Sequence, residues 1–334
     1  MLSKLKSWHR GASVVAATLA CTMLAGPAVA ADDFPSRTIE FIVPYAPGGP
    51  LDNMARLLAE KVKPDLGVVV VENRPGAGGN IGAGAAAKAQ PDGHTLVMGA
   101  VAINAINPWL YDRLPFDPVE SFEPVTLVAS VPNVLILNPD FAKTNNIESV
   151  QDLVEYAREN PDELNYASGG NGSAGHLAGE LLKVRTDIEA VHIPYAGAAP
   201  AKMALMSGEV QFMFDNLASA AGLLAADSVK ALAVTTAERS FMLPDLPTME
   251  QAGVAPFDLG TWFGVLATGG TPDAVVEKLN QAYVKALQDP EVRDALRTMG
   301  SDTEPTSSQE FAQMIASELE KYQELVKISG AKAE

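Results

Sequence analysis

The sequence predicts an α/β protein of two lobes hinged around a cleft. Three observations carry this expectation. Apolar strand-like runs alternate with helix-period segments along the chain, the pattern of strands covered by helices. The 334 residues exceed the roughly 250–300 at which a single core stops growing. Two apolar or proline-rich stretches, 124–139 and 244–256, read as crossings between lobes, and lobes joined by more than one crossing form a clamshell that closes on a ligand.

Thr38 to Val43 is a β-branched run ended by Pro44 to Pro50, and from Asp52 the apolar residues Met54, Leu57, Leu58 and Val62 recur at helical spacing. Val68 to Val71 is continuously apolar, which predicts a parallel strand buried on both faces. A glycine loop from Glu72 to Gly79, a helix over 81–89 and a strand at Thr95 to Met98 follow. Within 124–139, Ser130-Val131-Pro132 separates two strand candidates. The second series alternates in the same way. Its strands are at 164–167, 190–193, 210–214 and 230–235, and its helices at 150–158, 174–184, 199–206 and 217–224. A strand over 261–267 precedes amphipathic helices at 273–287, 290–299 and 308–326, their acidic faces turned to solvent. The expected lobes are 31–130 with 258–334, and 131–257. No 20–50-residue period repeats, which argues against a solenoid.

Lys4, Lys6 and Arg10 precede an apolar run from Val14 to Ala25, and Ala28-Val29-Ala30 supplies a small-residue cleavage pattern. This is a secretory leader over 1–30, its apolar core shorter than the roughly 20 residues of a membrane-spanning helix. The rival is lipidation at Cys21, which Thr18 at the third position before it fits poorly. Cys21 is the only cysteine, so cleavage after Ala30 leaves no thiol or disulfide chemistry. The net charge of −17 becomes more negative without the basic leader. Such a surface repels nucleic acid and does not attract small anions from a distance, so an anionic ligand needs local groups to hold it.

Three glycine turns, at 47–49, 76–79 and 169–173, each join a strand to a helix. There the first backbone amides of a helix point outward and can hold an anion without a cationic side chain. The same glycines also serve simply as turn formers, but three such loops from both expected lobes favour an anion site. No Walker phosphate loop occurs, and Gly82-Ala83-Gly84 starts too far after its strand for a dinucleotide fingerprint. The mature histidines His94, His176 and His192 form no metal-ligand spacing. His176 follows the third glycine turn, where it donates either to a ligand or to local backbone. Asp52 and Asp215 stand where strands give way to helices and either cap those helices or accept a hydrogen bond from a ligand. Ser168, Ser173, Tyr195 and Trp262 are candidate cleft residues, Trp262 fitting a core position as well. A Gly-x-Ser-x-Gly nucleophile elbow is absent from the sequence.

Three segments together resemble the Bug/TctC family of extracytoplasmic solute-binding proteins of tripartite tricarboxylate transporters. They are Val43-Pro44-Tyr45-Ala46-Pro47-Gly48-Gly49-Pro50-Leu51-Asp52, Val71 to Gly82 with Asn73-Arg74-Pro75-Gly76 inside, and Pro91-Asp92-Gly93-His94-Thr95-Leu96. Later matches are Gly170-Asn171-Gly172-Ser173 with His176-Leu177, Ile193-Pro194-Tyr195-Ala196-Gly197, and Phe214-Asp215-Asn216. The resemblance covers nearly the whole chain after the leader. It implies a periplasmic-binding-protein clamshell that holds a small carboxylate mainly through backbone amides and ordered water. On the first loop it points to Ala46, Pro47, Gly48, Gly49 and Asp52, with Asn80 beyond the second glycine turn. In the other lobe it points to Ser168, Gly169, Asn171, Gly172, Ser173 and His176, then to Tyr195, Gly197 and Asp215. Tyr45 stands where phenylalanine is common, and Ala196 where a lysine is common, so a charge contact at 196 is not expected.

The expected protein is therefore a monomeric periplasmic receptor for a di- or tricarboxylate, aromatic acid or amino acid. It delivers the ligand to a membrane permease and uses no catalytic residue, metal, cofactor or nucleic acid. The alternative is a secreted α/β hydrolase or transferase whose glycine loops hold a substrate carboxylate. The leader reading gives the first test. Intact mass of the natively expressed protein should place the mature N-terminus at Ala31, and a diacylglyceryl-modified Cys21 would overturn that assignment.

Overall fold

The computed structural model describes residues 34–332 apart from 162 and 299, and the leader expected over 1–30 lies outside the described residues. The α/β expectation holds. Strands β1 (Ile39–Val43), β2 (Val69–Asn73) and β3 (Thr95–Ala100) pair in parallel in the order β2-β1-β3. Helix α1 (Pro50–Lys61) and the short α2 (Lys63–Leu66) link β1 to β2, and α3 (Asn80–Ala86) links β2 to β3. After β3 the chain makes a π-helical turn, Ala102–Ile106, and the short helix α4 (Asn107–Leu110).

The element that organises the sheet is β4, Phe122–Leu137, a single strand of 16 residues. Two strands were expected there, broken at Ser130-Val131-Pro132. The backbone instead stays extended through Pro132, which pairs with Gly260 at the end of an antiparallel partner strand, β9 (Gly260–Thr268). Proline is tolerated because the strand changes partners at this point and no ladder amide is needed. Phe122 to Pro132 pairs with β9 (Gly260–Thr268), itself antiparallel to β3, and with β10 (Asp302–Thr303).

Beyond Pro132, Asn133 to Leu137 pairs instead with the antiparallel β7 (Phe212–Asn216) and β8 (Lys230–Val234). Strands β5 (Asn165–Ser168) and β6 (Val191–Pro194) continue the order β7-β5-β6 in parallel. Between these strands run α5 (Pro139–Thr144), α6 (Val150–Glu159), α7 (Ala174–Thr186), α8 (Ala198–Ser207) and α9 (Leu217–Ala225). The chain ends with α10 (Asp273–Gln288), α11 (Pro290–Thr298) and α12 (Ser308–Ser329).

The return crossing is stitched to β4 at the same point as the partner change. Asn133 N–H donates to Thr235 Oγ1 at 3.1 Å, Thr235 Oγ1–H donates to Leu259 O at 2.5 Å, and Leu259 N–H donates to Thr235 O at 2.9 Å. Both chain crossings thus pass through one cluster of hydrogen bonds.

Burial separates the valine runs. All six residues of β3 are buried, as a central strand requires, whereas in the Val68–Val71 run Val68 and Val70 are half exposed. The expectation of burial on both faces fails there because β2 is an edge strand, with Val69 and Val71 packed toward α1 and Val68 and Val70 on the exposed face. Helix α12 is started by a capping box between Ser307 and Glu310 and buries Phe311, Ile315, Tyr322 and Val326. Trp262 is core: its ring meets Phe311 edge-on at 5.6 Å and its Nε1–H donates to Glu318 at 3.2 Å.

Gly264 in β9 lets Phe311 approach the sheet. A Cβ added there would overlap that ring and lie 3.0 Å from Thr126 O. Overpacking of this kind costs about 1–3 kcal/mol. Gly264→Ala should therefore lower the melting temperature by several degrees in calorimetry, and an unchanged Tm would show that α12 can move off the sheet freely.

Candidate functional site

A cavity of about 230 Å³ opens where the two halves of the sheet meet, beside the partner change in β4. Its apolar wall comes from Tyr45, Pro50, Leu51, Ala100, Val101, Ala102 and Phe263. Its polar wall comes from Asn133, Ser173, Asp215, Asn216, Ser219 and Thr261. Among the described residues no lysine, arginine or histidine lines it.

Four helices start at this cavity. Pro50 and Leu51 open α1, Ala174 and Gly175 open α7, Ala198 opens α8, and Asn216 caps α9. The first four amides of a helix have no acceptor inside it. At α7, Ser173 Oγ takes His176 N–H at 3.2 Å, so the amides of Ala174 and Gly175 are the remaining donors facing the cavity.

The first glycine loop is locked from behind. Asp52, in the first turn of α1, accepts Gly48 N–H at 2.8 Å, Asn73 Nδ2–H at 2.9 Å and Arg56 Nε–H at 3.1 Å. Burial raises the Asp52 carboxyl, but these bonds outweigh it and hold its pKa below the ordinary value. Asp52 therefore fixes the loop as an anion, and the N-cap position of α1 falls to Gly49. Ala46, Pro47, Gly48, Gly49 and Asp52 do not line the cavity, whereas their neighbours Tyr45, Pro50 and Leu51 do. Asn80 is also outside it, accepting Asn107 Nδ2–H at 2.8 Å.

The other loop is buttressed by stacked imidazoles. His176 Nδ1 accepts Gly172 N–H at 3.2 Å, and its ring lies 4.0 Å from that of His192 at an interplanar angle of 7°. Burial lowers both pKa values, that of His192 to about 3 with help from neighbouring His176 and Lys183. Both rings are thus neutral at physiological pH. Ser168 is fully buried, its Oγ 2.7 Å from His192 Nε2 and within bonding distance of Gly170 N and O. Gly170 (φ +124°) and Gly172 (φ +78°) adopt backbone that favours glycine. Gly169 and Ser173 reach the cavity, while Ser168, Asn171, Gly172 and His176 stand behind it. Tyr195 turns away, donating to Glu209 at 2.8 Å, and Gly197 precedes the cavity-lining Ala198 as N-cap of α8.

Asp215 lies at the end of β7, 5% exposed. It does not cap α9: Asn216 Oδ1 accepts Ala218 N–H at 3.0 Å. Asp215 Oδ1 accepts Asn216 N–H at 2.9 Å, and its Oδ2 has no partner among the described residues. Burial pushes its pKa up to about 6 against the lowering effects of Ser219, Lys202 and the Asn216 amide. Sequence reading did not single out Asn133, Thr261, Ser219 or the β3 end. Asn133 does carry a signal, a lone amide between Pro132 and the apolar run Val134 to Leu137.

With its folded pKa above its unfolded one, Asp215 contributes stability that is fully present below pH 3.8 and lost as pH rises through about 6. The difference amounts to about 3 kcal/mol. In urea titrations of the ligand-free protein, Asp215→Asn should lose less stability than wild type between pH 4.5 and 7.5, and parallel pH profiles would show that Asp215 is not the buried acid described.

The sequence profile described as "Tripartite tricarboxylate transporter family receptor", TctC, matches residues 54–331. A UPF0065 protein of the tcbD-tcbE intergenic region of Pseudomonas sp. (strain P51) is 39% identical over 92% of this chain and 91% of its own length. BugT of Bordetella pertussis is 34% identical over 96% of this chain and 97% of its own. Among solved structures, R. palustris Rpa4515 with adipate superposes with a TM-score of 0.82 at 36% identity, covering 90% of this chain and 99% of that one. MatC from Rhodopseudomonas palustris with bound malate gives 0.79 at 33%, covering 88% and 100%. The two-lobe fold, the ordered motifs and these matches agree that the chain belongs to the Bug/TctC family of solute-binding proteins.

Proposed function

We propose that this chain is a periplasmic receptor that closes two lobes on a small carboxylate and delivers it to the membrane permease of a tripartite tricarboxylate transporter. The lobes are 31–130 with 258–334, and 131–257; the leader is removed after Ala30 and the receptor works as a monomer. The observation that carries this reading is the start of four helices at one cavity whose lining, among the described residues, holds no cationic side chain. Adipate and malate in the R. palustris relatives support a carboxylate ligand.

Helix N-termini contribute about 0.3–1 kcal/mol each, up to ~2 when partly buried, against roughly 8 kcal/mol for a micromolar complex. Water exclusion and aligned amide bonds supply the remainder. A covalent mechanism finds no support in the side chains. Among the described residues the nucleophile–base contact near the site is the Ser168–His192 pair, and Ser168 is fully buried with His192 held at low basicity.

The test isolates a backbone donor. Ala174 is the first residue of α7, where proline is well tolerated, and Ser173 before it is already extended at φ −71°, ψ 156°. Ala174→Pro therefore deletes one cavity amide with the helix intact. In a screen with malate and adipate, a binder at 100 times its Kd adds about 2.7 kcal/mol, a shift of several degrees, and its dimethyl ester adds almost none. Ala174→Pro should weaken the acid at least tenfold by calorimetry with unchanged circular dichroism. Equal shifts for acid and ester, or full affinity in Ala174→Pro, would refute capture by backbone amides.

A further inference from the structure

Asn133 Nδ2, Asp215 Oδ2 and Asn216 Nδ2 are buried side-chain atoms without a hydrogen-bond partner among the described residues, and all three belong to residues lining the cavity. The Asn216 orientation is fixed, because its Oδ1 accepts the Ala218 amide and only Nδ2 is left to face outward. Asn133 Oδ1 is engaged by Thr261 Oγ1 at 3.3 Å. The two side-chain amides thus join the α7 amides as donors, whereas Asp215 Oδ2 stands among them as an acceptor. Unpaired buried groups are costly, and a ligand that pairs them recovers that cost.

A plain dicarboxylate at neutral pH carries acceptors only. It satisfies the donors, but against Asp215 it sets one carboxylate beside another in a water-poor cavity, where like charges repel strongly. Among the described residues two groups face Asp215: Lys202, whose Nζ donates to Ser219 O at 2.5 Å, and the Ser219 hydroxyl, which is near enough to lower the Asp215 pKa without meeting Oδ2 in hydrogen-bonding geometry. We propose that the ligand bears, beside its carboxylate, a hydroxyl or ammonium hydrogen that donates to Asp215 Oδ2, making this a receptor for substituted rather than plain acids. This deepens the carboxylate-receptor reading and rests on it. The upward shift of the Asp215 pKa by burial is in keeping with it, since a donor from the ligand replaces the solvation that the carboxylate lacks.

Calorimetry on the mature protein at pH 7.5 tests this with matched sets: succinate, malate and aspartate; adipate, 2-hydroxyadipate and 2-aminoadipate; 3-phenylpropionate, phenyllactate and phenylalanine. In whichever set binds, a hydroxy or amino member should bind at least tenfold more tightly than the unsubstituted acid, and the tighter of the two identifies the donor. Asp215→Asn should weaken that member and strengthen the plain acid, by removing the like charge, until the two bind within about threefold of each other. If Asp215→Asn fails to fold, the wild-type comparison and the proton count from buffers of different ionisation enthalpy decide the matter. A plain acid that binds as tightly as its substituted partners, taking up about one proton per ligand, would show that Asp215 protonates instead and would overturn this inference alone. No binding by any acid would overturn the carboxylate reading and this inference with it.

Discussion

The shared strand β4 is the constraint on which the rest of the molecule depends. One run of 16 residues serves both halves of the sheet, and its neighbours change between Pro132 and Asn133. Proline lacks the amide that a continuous ladder would demand, and asparagine brings an amide side chain to the place where the ladder parts. The return crossing is hydrogen-bonded to the same residue through Thr235. A cavity forms there because strands diverge on either side of a point they share, and the helices that follow them begin along its rim. Asn133 is consequently both a joint of the fold and part of the cavity wall.

Electrostatics explains why that wall is built from amides. The chain has a net charge of −17, so its long-range field does not favour a small anion. Cations near the site are committed elsewhere: Arg56 to Asp52 and Asn73, Arg74 to Glu40 and Glu72, Lys202 to Ser219 O. Helix amides in a low-dielectric pocket act over a few ångströms and cost no lysine or arginine entropy. The buried Asp215 runs against this scheme, because its desolvation destabilises the empty protein at neutral pH. Active and binding sites are where such unfavourable placements are retained.

Much of the fold was legible because its signals are local. The strand-to-helix alternation, the core stripe of α12 and the glycine turns depend on periodicity and backbone permissiveness, which any window of sequence displays. The unity of β4 was not legible, since proline inside an apolar run reads as a break unless the partner change is known. Nor was the exposure of Val68 and Val70, which depends on β2 being an edge. At the site, Ser173, Gly169 and Asp215 were found from their turns, whereas Asn133, Thr261 and Ser219 come together only through pairing between strands far apart in sequence. Sequence also could not show that Gly48 gives its amide to Asp52, or that His176 gives its ring to Gly172; both need three-dimensional distances.

Those two internal bonds make the cavity asymmetric. Gly48 N–H and Gly172 N–H are consumed in holding their loops, so the loops are rigid frames more than sources of donors. The donors that remain are the Leu51 amide in the first turn of α1 and, within 131–257, Asn133, the α7 start and Asn216; Tyr45, Pro50, Val101 and Phe263 present apolar surface from the remainder of the chain, and Phe214 adds some from 131–257. An anion entering an open cleft would gain its hydrogen bonds from the 131–257 side first. Closure of the apolar wall would then exclude water and strengthen bonds already made. Side-chain donors are thereby concentrated on one part of the sheet and apolar cover on the other, and β4 is the strand through which both are positioned.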